Sequence, residues 1–266
     1  MHILVIGAHP DDPEVAVGGT AIRFSDRGDH IKFVTVTNGN KGHFSDEYKA
    51  DPDKLVARRM AEAQAGARVA GAEFECLGVP DGEVFVTQEL TEKLVEVIRN
   101  FGPEGEGPDL VLINRPCDYH RDHRYTAQSV LDASYMLTVP LYCPHVPHLM
   151  RMPAFAYWAD RFTEEGLFRA DIVVDISDVL ERKAEAIAAH ESQFFEWLPY
   201  NSRSPKLPSD GSLRMEAVMK YVHNRCRRVA AVSGDAVEGI EFPEAFQISE
   251  YGAQPNEEEL AALFPG

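Results

Sequence analysis

The stretch "MHILVIGAHPDD", residues 1–12, joins an apolar run to a histidine and two adjacent aspartates. Residues 3–8, "ILVIGA", are almost continuously apolar, as expected of a strand buried on both faces of a parallel sheet. A helical pattern follows over 15–28 and ends at Gly28. The first strand and the first helix are therefore expected to meet at a cluster of polar side chains.

The same alternation of strand and helix patterns continues along the chain. Apolar, β-rich runs predict three further strands: 31–37, 109–114 and 171–176. Helical patterns predict four further helices: 52–71, 88–101, 124–136 and 178–195. Repeated β-then-α units form right-handed crossovers, so the sequence predicts an α/β fold with a mostly parallel sheet and helices on both faces. With no repeat and no long linker, we expect one domain over 1–266.

Composition and charge exclude several classes of protein. Hydrophobic residues make up 44% and charged residues 26% of the chain, which is typical of an ordinary globular protein. A formal net charge of −17 would repel a phosphate backbone, so we expect no nucleic-acid partner. The sequence shows no signal-peptide pattern and no apolar run of about 18 residues, which predicts a cytoplasmic protein with no membrane partner. The four cysteines lie far apart, without a C-x-x-C pair, and predict neither a disulfide framework nor a thiolate zinc site.

Polar clusters follow the ends of two predicted strands. "AHPDD" (8–12) follows the first strand, and "RPCDYHRDH" (115–123) follows the strand at 109–114. Ligands of open α/β sheets bind outside the carboxyl ends of the strands, so we expect the two clusters to meet. Imidazole and carboxylate groups are the ligands of a catalytic zinc ion. The candidates are His9, Asp11, Asp12, His120, Asp122 and His123.

Each of these features also has a plain structural explanation. Asp11 or Asp12 could be the N-cap of the first helix, and Asp122 the N-cap of the helix at 124–136. The "GG" at 18–19 does not indicate a dinucleotide site, since no G-x-G-x-x-G follows the first strand. Finding H-x-x-D and H-x-x-H at the ends of two separate strands favours a functional site over coincidence.

Ordered motifs over most of the chain resemble the LmbE-like, or PIG-L-type, N-acetylglucosaminyl deacetylases. "AHPDD" at 8–12 is intact, "GGT" follows at 18–20, and "HRDH" at 120–123 matches the place where H-P-D-H is common in that family. Further matches are the R-x-x-E pair Arg59 and Glu62, "LGVPDG" (77–82), "KAEAIAAHESQ" (183–193) and "EAF" (244–246). The resemblance implies a zinc amidase on a Rossmann-like fold.

The resemblance also implies a role for each candidate residue. It places the zinc ligands at His9, Asp12 and His123, the general base at Asp11 and a second catalytic histidine at His120. The metal-bound water would attack the amide carbonyl, Asp11 would accept its proton, and His120 would stabilise the oxyanion. Arg59 and Asp81 are expected to contact the substrate, and Asp122 to orient one of the histidines that flank it.

We therefore predict a zinc-dependent hydrolase that removes an acetyl group from an N-acetylated sugar or glycoconjugate of the N-acetylglucosamine type. One zinc ion per chain is expected, although another divalent metal would fit the same ligands, and the resemblance allows a homo-oligomer. A metal-dependent phosphoesterase and a non-catalytic sugar- or nucleotide-binding module remain alternatives. Asp11 separates catalysis from binding, because binding alone would not require it. The choice of amide is expected to depend on the irregular regions 40–52, 80–88 and 138–165.

Overall fold

The computed structural model describes residues 1–203 and 213–266 and places their strands in a single seven-stranded sheet. In chain order the strands are β1 His2–Gly7, β2 His30–Thr37, β3 Ala72–Val79, β4 Leu110–Ile113, β5 Ala154–Trp158, β6 Ile172–Asp175 and β7 Pro243–Gly252. Their order across the sheet is β3-β2-β1-β4-β5-β7-β6. The first five strands pair in parallel, and β7 runs antiparallel to β5 and β6. The predicted α/β fold with a mostly parallel sheet is confirmed.

Helices cover both faces of this sheet. The α-helices of the described ranges are α1 Asp12–Arg27, α2 Asp46–Ala50, α3 Pro52–Ala70, α4 Gln88–Asn100, α5 Arg121–Met136, α6 Leu180–Ala188, α7 Leu198–Asn201, α8 Arg214–Ser233 and α9 Glu257–Leu263. None of the helices in these ranges is long and apolar enough to cross a membrane.

Strand β1 is buried on both sides, which explains its continuous apolar sequence. Ile3 and Val5 belong to the core under α1, α3, α6 and α8, whereas Leu4 and Ile6 belong to the core under α4 and α5. All four side chains are completely buried. Since side chains alternate between the two faces of a strand, one apolar run supplies both cores.

Two helices begin earlier than the sequence predicts. Helix α1 begins at Asp12, three residues earlier than predicted, and α5 begins at Arg121 instead of 124. His120 is the N-cap of α5, and its side chain accepts the backbone N–H of Asp122. The alternative that placed Asp122 at this cap is therefore wrong.

The single helix predicted over 178–195 is interrupted. A 3₁₀ turn over Ser177–Val179 precedes α6, and a π-helical segment, Ser192–Trp197, follows it. Ser192 donates hydrogen bonds from its backbone nitrogen (2.9 Å) and its hydroxyl (2.5 Å) to the carboxylate of Glu62 on α3. Because the contact between Ser192 and Glu62 joins residues 130 positions apart, the local periodicity of the sequence does not reveal it.

Strands β3, β5 and β7 and helix α8 were not predicted. Strand β3 lies at an edge of the sheet and is only partly buried, so it lacks an apolar run. Strand β5 is buried but has five residues, and it falls inside the region 138–165 that was predicted to be irregular. Strand β7 holds its place between β5 and β6, which are far from it in the sequence.

A buried ion pair joins three of the sequence motifs. Glu244 on β7 pairs with Lys183 on α6 and accepts the backbone N–H groups of Gly19 (3.0 Å) and Thr20 (2.7 Å) on α1. Both charged side chains are almost completely buried. The burial of these charges is tolerated because they are paired and hydrogen-bonded. The motifs "GGT", "KAEAIAAHESQ" and "EAF" thus meet in one contact, which fixes α1 and α6 against the sheet.

Candidate metal centre and catalytic site

The two predicted polar clusters lie at the carboxyl ends of neighbouring strands. Strand β1 ends at Gly7 and β4 ends at Ile113, and the two strands pair directly. The chain leaves β1 for β2 on one side, whereas β4 lies on the other side, so the clusters occupy the point where the strand order reverses. Crevices at such points are the usual ligand sites of open α/β sheets.

His9, Asp12 and His123 form a compact triangle of possible metal ligands. The Nδ1 atom of His9 lies 3.1 Å from Nε2 of His123 and 3.5 Å from Oδ2 of Asp12, and the third side of the triangle is 3.4 Å. Nitrogen and oxygen ligands at 2.0–2.1 Å from a tetrahedral ion lie about 3.3 Å apart. The three residues therefore fit such an ion without rearrangement.

Carboxylates face the outer nitrogen of each of the two imidazoles. The Nδ1 atom of His123 lies 3.0 Å from Oδ2 of Asp118, and Nε2 of His9 lies 3.3 Å from Asp81 and 3.4 Å from Asp122. These partners assign a proton to each outer nitrogen, and the inner nitrogens, which face each other, remain available for a metal. Asp122 thus contacts His9, and one of its carboxylate oxygens also lies within 4.8 Å of a ring nitrogen of His120. Asp118 was not predicted, although it precedes His123 by five residues.

Asp12 is fixed by the backbone of the loop that precedes α1. Its Oδ2 atom accepts the backbone N–H groups of Ala8 (2.9 Å) and His9 (2.7 Å). A Cβ on Gly7 would lie 2.8 Å from Cβ of Asp12, so the end of β1 needs a glycine to let this side chain approach. The "GAHPDD" turn therefore places an imidazole and a carboxylate side by side.

Without a metal, the acidic neighbours of His9 and His123 favour the protonated form of both imidazoles. Burial lowers the pKa of His123, but Asp12 and Asp118 raise it by more, to about 9. Burial also opposes the charged form of His9, and hydrogen bonds to Asp12, Asp122 and Asp81 raise its pKa well above the ordinary value. A metal ion would have to displace these protons, so its affinity should increase with pH.

Asp11 stands at the N-cap position of α1 but makes no side-chain capping hydrogen bond. Its Oδ1 atom instead accepts Nη2–H of Arg59 at 2.9 Å. Burial raises the pKa of the Asp11 carboxyl, but Arg59 and then His190 lower it by more, so the group is ionised at neutral pH. Arg59, predicted as a substrate contact, has 2% of its surface exposed and lies behind Asp11. The capping alternative has no support in this geometry.

Glu14 and His190 form a second buried layer behind Asp11. Both side chains are completely buried, and Nε2 of His190 lies 3.3 Å from Oε1 of Glu14. Burial raises the pKa of Glu14, an effect that His190 partly opposes. Gly66 on α3 makes room for the pair, since a Cβ there would lie 2.7 Å from Glu14 and 2.9 Å from His190. A glycine at position 66 therefore lets α3 approach this pair closely.

His120 lies beside the ligand triangle with a defined tautomer. Its Nδ1 atom accepts the backbone N–H of Asp122 at 3.2 Å, which leaves the ring proton on Nε2. Burial lowers the pKa of His120, and the neighbouring His9 and His123 lower it further. His120 is therefore a neutral imidazole that can donate one hydrogen bond from Nε2.

A cavity of about 360 Å³ adjoins the metal triangle. Asp11, Asp12 and His123 line it, together with Trp158 and Tyr221. The volume lies within the range of small-molecule sites. A second cavity, of about 600 Å³, lies beside Arg58 and Glu196 and is lined by none of the predicted site residues.

Comparisons with known proteins show which proteins the chain resembles. The family model "PIG-L: GlcNAc-PI de-N-acetylase" matches residues 4–134. The chain is 30% identical over 213 residues to a diacetylchitobiose deacetylase of Thermococcus kodakarensis, and the aligned region covers 74% of this chain and 74% of the relative. It is 26% identical over 262 residues to a 1D-myo-inositol 2-acetamido-2-deoxy-alpha-D-glucopyranoside deacetylase of a Mycobacterium species. The aligned region covers 83% of this chain and 82% of the relative.

Two solved structures show the same fold. An N,N'-diacetylchitobiose deacetylase from Pyrococcus horikoshii superposes with a TM-score of 0.72 at 24% identity, over 93% of this chain and 83% of the other. GalB, a 4-carboxy-2-hydroxymuconate hydratase from Pseudomonas putida, superposes with a TM-score of 0.70 at 21% identity, over 96% of this chain and 99% of the other. Since the two activities differ, the fold alone does not decide the reaction, which depends on the residues of the site.

Proposed function

Because this chain belongs to the PIG-L family of de-N-acetylases, we propose that it is a zinc-dependent hydrolase that removes the acetyl group from an N-acetylated sugar of the N-acetylglucosamine type. The observation that carries the proposal is the triangle of His9, Asp12 and His123 with the ionised Asp11 beside it. The relatives compared above are deacetylases of acetamido sugars by name. We also propose that 1–266 acts as one domain, since α8 lines the same cavity as the start of α1.

His9, Asp12 and His123 would hold the metal in this proposal. Two imidazoles and one carboxylate are a ligand set of catalytic zinc, and they leave the fourth tetrahedral position open. A bound Zn²⁺ would polarise the acetamide carbonyl and lower the pKa of water in the site.

Asp11 and His120 would perform the proton transfer and the charge stabilisation. Arg59 holds Oδ1 of Asp11, whereas Oδ2 accepts no hydrogen bond within the described part of the chain. This free oxygen can accept a proton from the attacking water. His120 can donate its Nε2–H to the carbonyl oxygen as negative charge develops there.

The geometry supports a phosphoesterase less well. Two-metal phosphoesterases hold their ions about 3.5–4 Å apart. A second candidate group of ligands exists among the described residues, namely His9 with Asp81, His120 and Asp122, but it shares His9 with the first. The carboxylate of Asp122 is also already hydrogen-bonded to two backbone N–H groups of the loop at 82–84. These residues offer one well-formed metal site.

Acetate release from N-acetylglucosamine and from diacetylchitobiose tests the proposal. The purified protein is assayed as prepared, after chelation, and after return of Zn²⁺, with elemental analysis of each sample. We expect chelation to abolish the activity and zinc to restore it. A second divalent metal that restores more activity than zinc would correct the choice of metal.

Two variants separate the roles of the adjacent aspartates. Asp11→Asn should keep the metal and lose about 10²- to 10⁴-fold in kcat, the range for a missing general base. Asp12→Ala should lose metal and activity together, because it removes one of three ligands. A zinc-loaded Asp11→Asn protein with near wild-type kcat would refute the assignment of the base.

A further inference from the structure

One face of helix α8 lines the catalytic cavity that Asp11, Asp12 and His123 also line. Tyr221, Arg225, Arg228 and Val232 line this cavity, and their spacing of four, three and four residues places them along one side of the helix. Both guanidinium groups therefore border the cavity that contains Asp11.

The acidic side chains of this cavity already have partners. Asp160 receives two hydrogen bonds from Arg115, at 2.8 and 2.5 Å, and Asp118 contacts His123 at 3.0 Å. Asp11 is paired with Arg59. None of these three carboxylates is therefore available to neutralise a further positively charged side chain in the cavity.

Arg225 and Arg228, in contrast, have no acidic partner within residues 1–203 and 213–266. The Nε atom of Arg225 is buried and has no hydrogen-bond partner there, although a buried guanidinium donor normally has one. The whole chain has a formal net charge of −17, so two arginines at one cavity, neither with an acidic partner in the described ranges, are a local departure from its overall charge. For the partly buried Arg225 this departure points to an anion as the missing partner, and the exposed Arg228 lines the same cavity three residues further along α8.

We propose that Arg225 and Arg228 form an anion subsite, which binds a carboxylate or phosphate group of the substrate while its acetamide lies at the metal triangle. The inference rests on the proposed deacetylase function and deepens it, because it makes the substrate an acidic derivative of an N-acetylated sugar. The planar guanidinium group matches the geometry of both carboxylate and phosphate oxygens, which the ammonium group of lysine does not.

The position of the subsite also offsets a cost of binding such a substrate. Asp11 and Asp12 would repel an anion that enters the cavity, and two arginines that line the same cavity counter this repulsion. Tyr221 lines this cavity as well. Burial raises the pKa of Tyr221, Arg225 lowers it and Asp11 raises it, so the arginine and the carboxylate act on the same ring.

The test compares three matched probes: the methyl glycoside, the carboxymethyl glycoside and the 1-phosphate of N-acetylglucosamine. Acetate release gives kcat/KM for each probe with the wild-type enzyme, Arg225→Gln and Arg228→Gln. Arg227→Gln is the control, since Arg227 is exposed, lies on the same helix turn and does not line the cavity. The control removes the same charge from the protein without touching the proposed subsite.

We expect at least one anionic probe to exceed the methyl glycoside in kcat/KM by about tenfold or more, as for a charge-assisted hydrogen bond. The ratio should fall towards one in Arg225→Gln and Arg228→Gln and stay unchanged in Arg227→Gln. Whichever of the two anionic probes has the larger ratio identifies carboxylate or phosphate as the preferred group. Equal rates for all three probes, or an equal loss in the control variant, would overturn the subsite.

Calorimetry with the metal-loaded Asp11→Asn protein separates this inference from the proposed function. If the wild-type enzyme releases acetate from none of the probes, the deacetylase proposal fails. The binding measurements alone then decide whether the anion subsite exists. Tighter binding of an anionic probe, lost when Arg225→Gln is added, supports the subsite. Equal binding of the three probes refutes it.

Discussion

Replacing Asp118 by asparagine should weaken metal binding without removing a metal ligand. In the structure Oδ2 of Asp118 accepts Nδ1–H of His123 at 3.0 Å, and Oδ1 accepts the backbone N–H of His120 at 2.7 Å. Asparagine has one oxygen for these two donors. If that oxygen keeps the backbone N–H, the amide NH₂ group faces Nδ1 of His123 and favours the tautomer that carries its proton on Nε2. The nitrogen that points to the metal would then be the protonated one.

The size of the effect follows from this change of tautomer and from the lost charge. Asp118 is one of the groups that raise the pKa of His123 to about 9, so its carboxylate interacts strongly with that ring. Loss of an outer partner of a ligating histidine typically costs 10- to 100-fold in metal affinity, or about 1.4–2.7 kcal/mol. We expect Asp118→Asn to fall within this range.

The assay is competition for Zn²⁺ between the metal-free protein and a chelator of known affinity. The control is Asp132→Asn, which removes the same charge from an exposed position on α5, the helix that carries His123. Melting temperatures of the metal-free proteins show whether either variant is misfolded. A folded Asp118→Asn protein whose zinc affinity is within twofold of the wild type and of the control would refute the reasoning about the outer carboxylate.

Three further predictions concern catalysis, packing and pH. His120→Ala should lower kcat by about 10²- to 10³-fold while zinc content stays at the wild-type level, as for a lost oxyanion donor; elemental analysis with acetate release checks it, and an unchanged kcat would contradict it. In α1, Gly18→Ala should add about 0.5–1 kcal/mol to the free energy of unfolding, because the new Cβ would lie 3.5 Å from its nearest neighbour. Gly19→Ala should instead remove about 1–3 kcal/mol, because its Cβ would lie 2.7 Å from two atoms of Ile176; urea unfolding compares the two, and equal signs would contradict the packing. Burial raises the pKa of Glu196, but its arginine and histidine partners lower it by more, so its contribution to stability is present above its unfolded pKa and is lost as the pH falls; the stability difference between wild type and Glu196→Gln should therefore shrink between pH 6 and pH 3.

The sequence by itself determined the elements whose signals are local. Strand β1 could be predicted because Ile3 to Ile6 are buried on both faces of the sheet, which leaves no polar position to interrupt the pattern. The ends of α1 and α3 could be predicted because Gly28 and Gly71 adopt left-handed backbone conformations that favour glycine. The placement of "AHPDD" and "HRDH" after two buried strands was likewise visible without any knowledge of contacts.

The tertiary structure alone decided which side chains meet. Asp122 contacts His9, 113 positions away, because β1 and β4 are adjacent in the sheet. The pairing of Asp11 with Arg59 depends on how α3 packs against the start of α1. Two arginines of α8 that have no acidic partner within the described ranges became visible as cavity residues only when that helix was placed beside Asp11 and Asp12. Periodicity and capping act over a few residues, whereas these contacts depend on strand order and helix packing, which bring together parts of the chain that carry no local record of each other.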